Sequence, residues 1–161
     1  MWCLYRFSDG LYWLNRYVFA YRKEVVTNNL VNAFPRQGAE GIGRIRNGFY
    51  RHFCDVLVEI IKNFSISRSE LMERVAFEDK GVFEAFYQKK QSVLVVMGHL
   101  GNWEWAGARF ALAGLHPVCV LYHPLKHPNF EDLIVRTRTR FGNRLYPMQK
   151  ALRYMLRDRD E

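Results

Sequence analysis

The sequence predicts an α/β fold: amino-terminal helices followed by a partial, mainly parallel sheet with flanking helices. Two observations carry that reading. Apolar residues recur at spacings of three and four through the first half of the chain. After about residue 90, short apolar runs alternate with helical stretches in the order strand–helix–strand–helix–strand, which suits parallel pairs joined by crossovers. The 161 residues are enough for one domain with a core, and 49% hydrophobic and 16% aromatic content marks a folded chain. Residues 1–161 read as a single domain, a helical cap over about 1–90 and an α/β core over about 91–161.

The elements follow in order. The opening is crowded with aromatics, and Ser8-Asp9-Gly10 is a candidate interruption. Helical spacing then continues over residues 11–33, until Phe34-Pro35-Arg36-Gln37-Gly38 breaks it. A long helix is expected over about 39–64, with Ile42, Ile45, Phe49, Phe53, Val56, Leu57, Ile60 and Ile61 on its apolar face and Gly41, Gly43 and Gly48 weakening its start. Ser67 with Glu70 three residues on is a capping box for a short helix. Asp79-Lys80-Gly81 is a turn, and a helix over 82–89 leads to a first strand over 92–97. Next come a helix over 103–113 stopped by Gly114, a strand over 117–122 and a helix over 129–141 closed by Gly142. A short strand over 144–146 and a helix over 149–157 follow, with no strand after them. Three short strands leave apolar faces uncovered, so the chain reads as the front part of a longer protein.

Composition narrows the classes. The net charge is +8, and from Lys126 to Arg157 eight Lys/Arg face two acids, a local +6. Such a surface suits an anionic partner. Cys3, Cys54 and Cys119 are widely spaced and form no CxxC pair, which argues against a zinc knuckle or a disulfide framework. Arg6, Asp9 and Arg16 interrupt the opening segment, so it is no membrane span, but its aromatics and basic residues suit a headgroup region. His123 and His127 stand at i, i+4, but Pro124 and Pro128 oppose a helix there, and no metal site is expected. The aromatics cluster with apolar positions rather than along a basic stripe, so nucleic acid is not an expected partner.

The chemistry points to one block, Gly98-His99-Leu100-Gly101-Asn102-Trp103-Glu104, at the carboxyl end of the expected first strand. A neutral imidazole between small neighbours can take a proton from an alcohol that attacks a carbonyl. Glu104, in the first turn of the next helix, is placed to accept the other ring N–H of His99 and stabilise the imidazolium. No serine or cysteine lies beside the pair, so the nucleophile is the substrate's own hydroxyl. The helix amino terminus offers N–H groups to an oxyanion or phosphate. The bland alternative is a structural histidine beside a helix start.

The block resembles the active-site segment of the bacterial lipid A biosynthesis acyltransferases, the late lauroyl and myristoyl transferases of the lysophospholipid acyltransferase-like superfamily, which share an H-x4-D/E signature with glycerolipid acyltransferases. The likeness extends to Tyr21-Arg22-Lys23-Glu24-Val25-Val26, Asn29-Leu30, Ala33-Phe34-Pro35, Phe49-Tyr50-Arg51-His52, Tyr122-His123-Pro124-Leu125 and Arg138-Thr139-Arg140-Phe141-Gly142, from about residue 21 to 156, and matches the family's amino-terminal half. It implies an acyltransferase-like fold and transfer of a fatty acyl chain from acyl carrier protein, or a coenzyme A thioester, to a hydroxyl of a phosphorylated lipid A precursor, with no further cofactor. By motif match His99 is the general base and Glu104 its partner. Arg138, Arg140 and Asn102 are substrate-binding candidates, the two arginines for a phosphate or the thioester-side anion; their alternative is an ion pair with Glu131 or Asp132 on the same helix. Acyl carrier protein, the lipid and a membrane surface are the implied partners, at the cytoplasmic face of the bacterial inner membrane. A glycerolipid acyltransferase, or a non-catalytic membrane- or carrier-binding fragment, is the alternative.

Overall fold

A computed structural model describes residues 1–158 of the chain. The fold is α/β: amino-terminal helices come first, then a small parallel sheet with helices around it. It divides into two compact units, Met1–Lys62 and the chain from Asn63 onward.

In the first unit α1 (Trp2–Leu14) and α2 (Lys23–Ala33) pack on the long α3 (Ala39–Lys62). The apolar spacing of α3 prevails over its three glycines, burying Ile42, Tyr50, Cys54, Val56 and Val58. Ser8-Asp9-Gly10 does not interrupt α1. Ser8 is buried and donates to Asp55 Oδ1 at 2.6 Å, so a residue that reads as a breaker serves as an interhelical hydrogen bond. Tyr5 adds a second, donating to Glu59 Oε1 at 2.7 Å.

The helix expected over 11–33 is divided instead after Leu14. A π-helical turn spans Asn15–Phe19, and Ala20 and Arg22 take left-handed φ values of 45° and 49°. Asn15 organises the break: its carbonyl accepts from Ala20 N–H at 2.8 Å and its side-chain oxygen from Tyr21 N–H at 3.1 Å. The result is a knuckle on which Trp13, Leu14, Tyr17, Val18, Phe19 and Tyr21 are exposed. Arg16 and Arg22 lie over the rings of Tyr17 and Tyr21, at 5.4 and 5.7 Å.

The second unit begins with α4 (Arg68–Arg74), where Ser67 caps the helix by accepting from Glu70 N–H at 3.1 Å, as its sequence predicts. Leu71 is buried, along with Ile66, Trp105, Ala108, Leu112 and Tyr146. α5 (Gly81–Gln88) contributes Phe83 to an aromatic cluster with Phe77 and Phe110, whose centroids lie 5.0–5.8 Å apart. After α6 (Trp103–Ala111), strand β1 (Cys119–Tyr122) leads through α7 (Pro128–Thr139) to β2 (Arg144–Pro147). The two strands are parallel, pairing Cys119 with Arg144 through Tyr122 with Pro147. A 3₁₀ turn (Met148–Lys150) and α8 (Ala151–Arg157) complete the unit.

The strand expected over residues 92–97 does not form. That stretch joins neither strand of the sheet, and Leu94 and Val96 are 80% and 86% exposed. An apolar run records that a strand suits burial, but its partner is set by distant chain, which local periodicity does not contain. The sheet among the described residues therefore has two strands where three were expected. Among the described residues no helix is long and apolar enough to cross a membrane.

Candidate active site

His99 lies on the irregular stretch that enters α6. Gly101, at φ +59°, supplies the left-handed step that turns this stretch into the helix, a conformation most side chains resist. The imidazole is exposed and meets the Trp103 ring edge-on, with centroids 4.7 Å apart and planes at 72°. Among the described residues neither ring nitrogen has a hydrogen-bond partner.

Asn102 is the N-cap of α6, its side-chain oxygen accepting from Trp105 N–H at 2.9 Å. That bond fixes the first turn, which carries Trp103 and Glu104, while Trp105 itself is buried in packing. Asn102→Ala is expected to lower stability by about 1 kcal/mol, read as a shift of the urea midpoint at unchanged slope.

Glu104 is held by Arg138 of α7. Arg138 Nε donates to Glu104 Oε2 at 3.0 Å, and Nη2 donates to Oε1, a two-toothed contact between residues 34 apart in sequence. The side chains are 12% and 26% exposed, so little water competes for the pair. The hydrogen bond to Glu104 holds the Arg138 guanidinium above its ordinary range, against the opposing effect of burial; the charges of Glu104 and Glu131 support it.

This geometry departs from expectation at Glu104, and it sets aside the alternative reading of Arg138. Glu104 is engaged by Arg138 rather than by a ring N–H of His99. Arg138 does not pair within its own helix; Arg136 does so instead, meeting Asp132 at 2.9 Å. Arg140 lies apart from Glu104: its Nη1 donates to the Asn63 carbonyl at 3.1 Å and its guanidinium lies 5.0 Å from the Phe141 ring centre. Thus the fold brings Glu104 and Arg138 together, seats Asn102 beneath them as a cap, and leaves His99 and Arg140 outside that contact.

Two further residues belong to the cluster. Tyr122, at the carboxyl end of β1, donates to Glu131 Oε1 at 2.8 Å, and Glu131 Oε2 accepts from Leu125 N–H at 2.8 Å. Glu131 stands in the first turn of α7, where the helix dipole favours a carboxylate. The available sequence signal was a tyrosine ending a strand with an acid opening the next helix, a pattern too common to single out. Arg109 is buried, donating from Nε to the Val75 carbonyl at 2.9 Å with its guanidinium 4.8 Å from the Phe77 ring centre. Its place in an otherwise apolar helix face gave no hint of that role. His123 donates from Nδ1 to the Pro124 carbonyl at 2.9 Å, and His127 meets Phe130. Among the described residues no three His, Cys, Asp or Glu side chains gather as a metal site.

An exposed imidazole on the stretch before α6 is a group able to take up a proton, and the carboxylate in the first turn of that helix is held by a salt bridge. No curated protein and no solved structure matches the chain. The family model for bacterial lipid A biosynthesis acyltransferases matches residues 2–159, nearly the whole sequence, and so includes the block from Gly98 to Glu104 and the helix bearing Arg138. By that match the chain belongs to the bacterial lipid A biosynthesis acyltransferase family and is an acyltransferase.

Proposed function

We propose that this acyltransferase moves a fatty acyl chain from the thioester of acyl carrier protein to a hydroxyl of a phosphorylated lipid A precursor, with His99 as general base and Glu104 as its acidic partner. The observation that carries the proposal is His99 itself: an exposed imidazole with no hydrogen-bond partner among the described residues, five residues before a carboxylate in the first turn of α6. In the reaction, His99 takes the proton of the acceptor hydroxyl as its oxygen attacks the thioester carbonyl. The tetrahedral intermediate collapses, the C–S bond breaks, and the leaving thiolate takes the proton back from the imidazolium. In this scheme Glu104 lowers the energy of that imidazolium through its charge. The amino-terminal N–H groups of α6 suit the developing oxyanion. Arg140 and Asn102 are held as binding residues for the acceptor, and no further cofactor enters the scheme. The test is a reaction of the protein with acyl-acyl carrier protein and lipid A precursor, followed by mass spectrometry. A product heavier by one acyl chain is expected; acylation of a lysophospholipid in its place would overturn the lipid A reading.

The reading includes a membrane surface, at the cytoplasmic face of the inner membrane. The knuckle after α1 supports it: six large apolar side chains are exposed there, two arginines lie over its rings, and no acid occurs from Gly10 to Lys23. Replacing Trp13, Tyr17 and Phe19 together with serine is expected to weaken partition onto phosphatidylglycerol vesicles by about tenfold or more in co-sedimentation. Unchanged partition would remove this surface from the scheme.

A further inference from the structure

We propose that Arg138 is a positioning residue that fixes the Glu104 carboxylate, rather than a ligand for the substrate's phosphate, and that Glu131 and Tyr122 set the helix that delivers it. The inference rests on the reading of Glu104 as partner of His99. Three observations carry it. The fork of Arg138 is already spent on both oxygens of Glu104, which uses two of its five N–H donors and neutralises its charge. The pair is shielded, and its geometry is the one guanidinium and carboxylate adopt as mutual ligands. Finally, Glu131 and Arg138 are seven residues apart on α7, and so stand on one face of it two turns apart. Glu131 ties the start of that face to the end of β1 through Tyr122 and Leu125 N–H, and Arg138 ties its far end to α6. The helix is thus clamped at both ends along one line, and the clamp terminates at Glu104.

A carboxylate meant to assist an imidazole needs a fixed direction more than it needs a second charge. An arginine fork supplies direction, because both oxygens are held in the guanidinium plane while each keeps a further lone pair for another donor. A phosphate ligand would instead present its donors to an open space.

A double-mutant cycle separates the two roles. Arg138→Ala, Glu104→Ala and the double variant are assayed for acyl transfer, with the KM for the phosphorylated acceptor and kcat resolved. Arg138→Ala is expected to lower kcat on the order of 10- to 100-fold, as for groups that orient a reacting side chain, with the acceptor KM within about twofold. In the Glu104→Ala background the same change is expected to have little further effect. Arg138→Lys keeps the charge but not the fork, so it tests the idea should the alanine variant fold poorly; the same fall in kcat is expected. A raised acceptor KM at constant kcat, or losses that multiply in the double variant, would overturn the proposal. Full activity of a His99→Ala variant would instead overturn the underlying assignment of the base, a separate result.

Discussion

Replacing His99 by alanine is expected to cut acyl transfer by about 10²- to 10⁴-fold, the range in which a positioned general base contributes. The loss should fall on kcat, because the proton is transferred in the chemical step rather than on binding. The fold should be little affected. His99 is exposed and its one described contact is the Trp103 ring, so its removal empties no cavity and strands no buried polar group. The measurement is turnover beside a denaturant midpoint for the same sample. Activity within a few-fold of the parent would falsify His99 as the base.

Glu104→Ala carries the second large effect, and it strikes both stability and rate. Arg138 would keep its charge in a pocket that leaves only 26% of its side chain exposed, with its carboxylate gone. Breaking a fully buried pair in this way costs about 3–5 kcal/mol, and the partial exposure here reduces that to about 1–3 kcal/mol. Transfer should fall as well, because the imidazolium loses its counter-charge. Glu104→Gln separates the two losses: it keeps an acceptor for Arg138 while removing the charge. The expected order of unfolding midpoints is parent, then Gln, then Ala. A Glu104→Ala protein as stable as the parent would show that the pair contributes nothing to the fold.

Much of this was legible in the chain. The spacing of Ile42, Ile45, Phe49, Phe53 and Val56 was enough to place α3, because a helix needs only local periodicity. Of the stripe read there Ile42 and Val56 are buried while Phe49, Leu57 and Ile61 are exposed, and Tyr50, Cys54 and Val58 take the buried face with them. Ser67 was legible because its cap bond reaches three residues. The block from Gly98 to Glu104 could be singled out because small residues beside a histidine are locally unusual. What was not legible depends on distance. No pattern within the run at 92–97 states whether a second strand meets it, and none joins it among the described residues. Nothing near Glu104 announces an arginine 34 residues later, while the acids close to Arg138 in sequence offered a nearer but unused partner. The π-turn after Leu14 escaped for another reason: apolar spacing continues straight through it, and only the side chain of Asn15 marks the break.

The unpaired stretch before His99 has an energetic consequence for substrate choice. Residues 92–101 make no backbone hydrogen bond among the described residues, so His99, the proposed base, is carried on a segment that no ladder among those residues holds. Fixing a residue's backbone costs about 1–2 kcal/mol, and a productive encounter must hold at least the few residues around His99. That ordering free energy has to come from contacts with parts of the substrate remote from the reacting carbonyl. Shortened acyl chains or trimmed acceptors should then lose turnover and not merely affinity, making chain length a kinetic property of this enzyme.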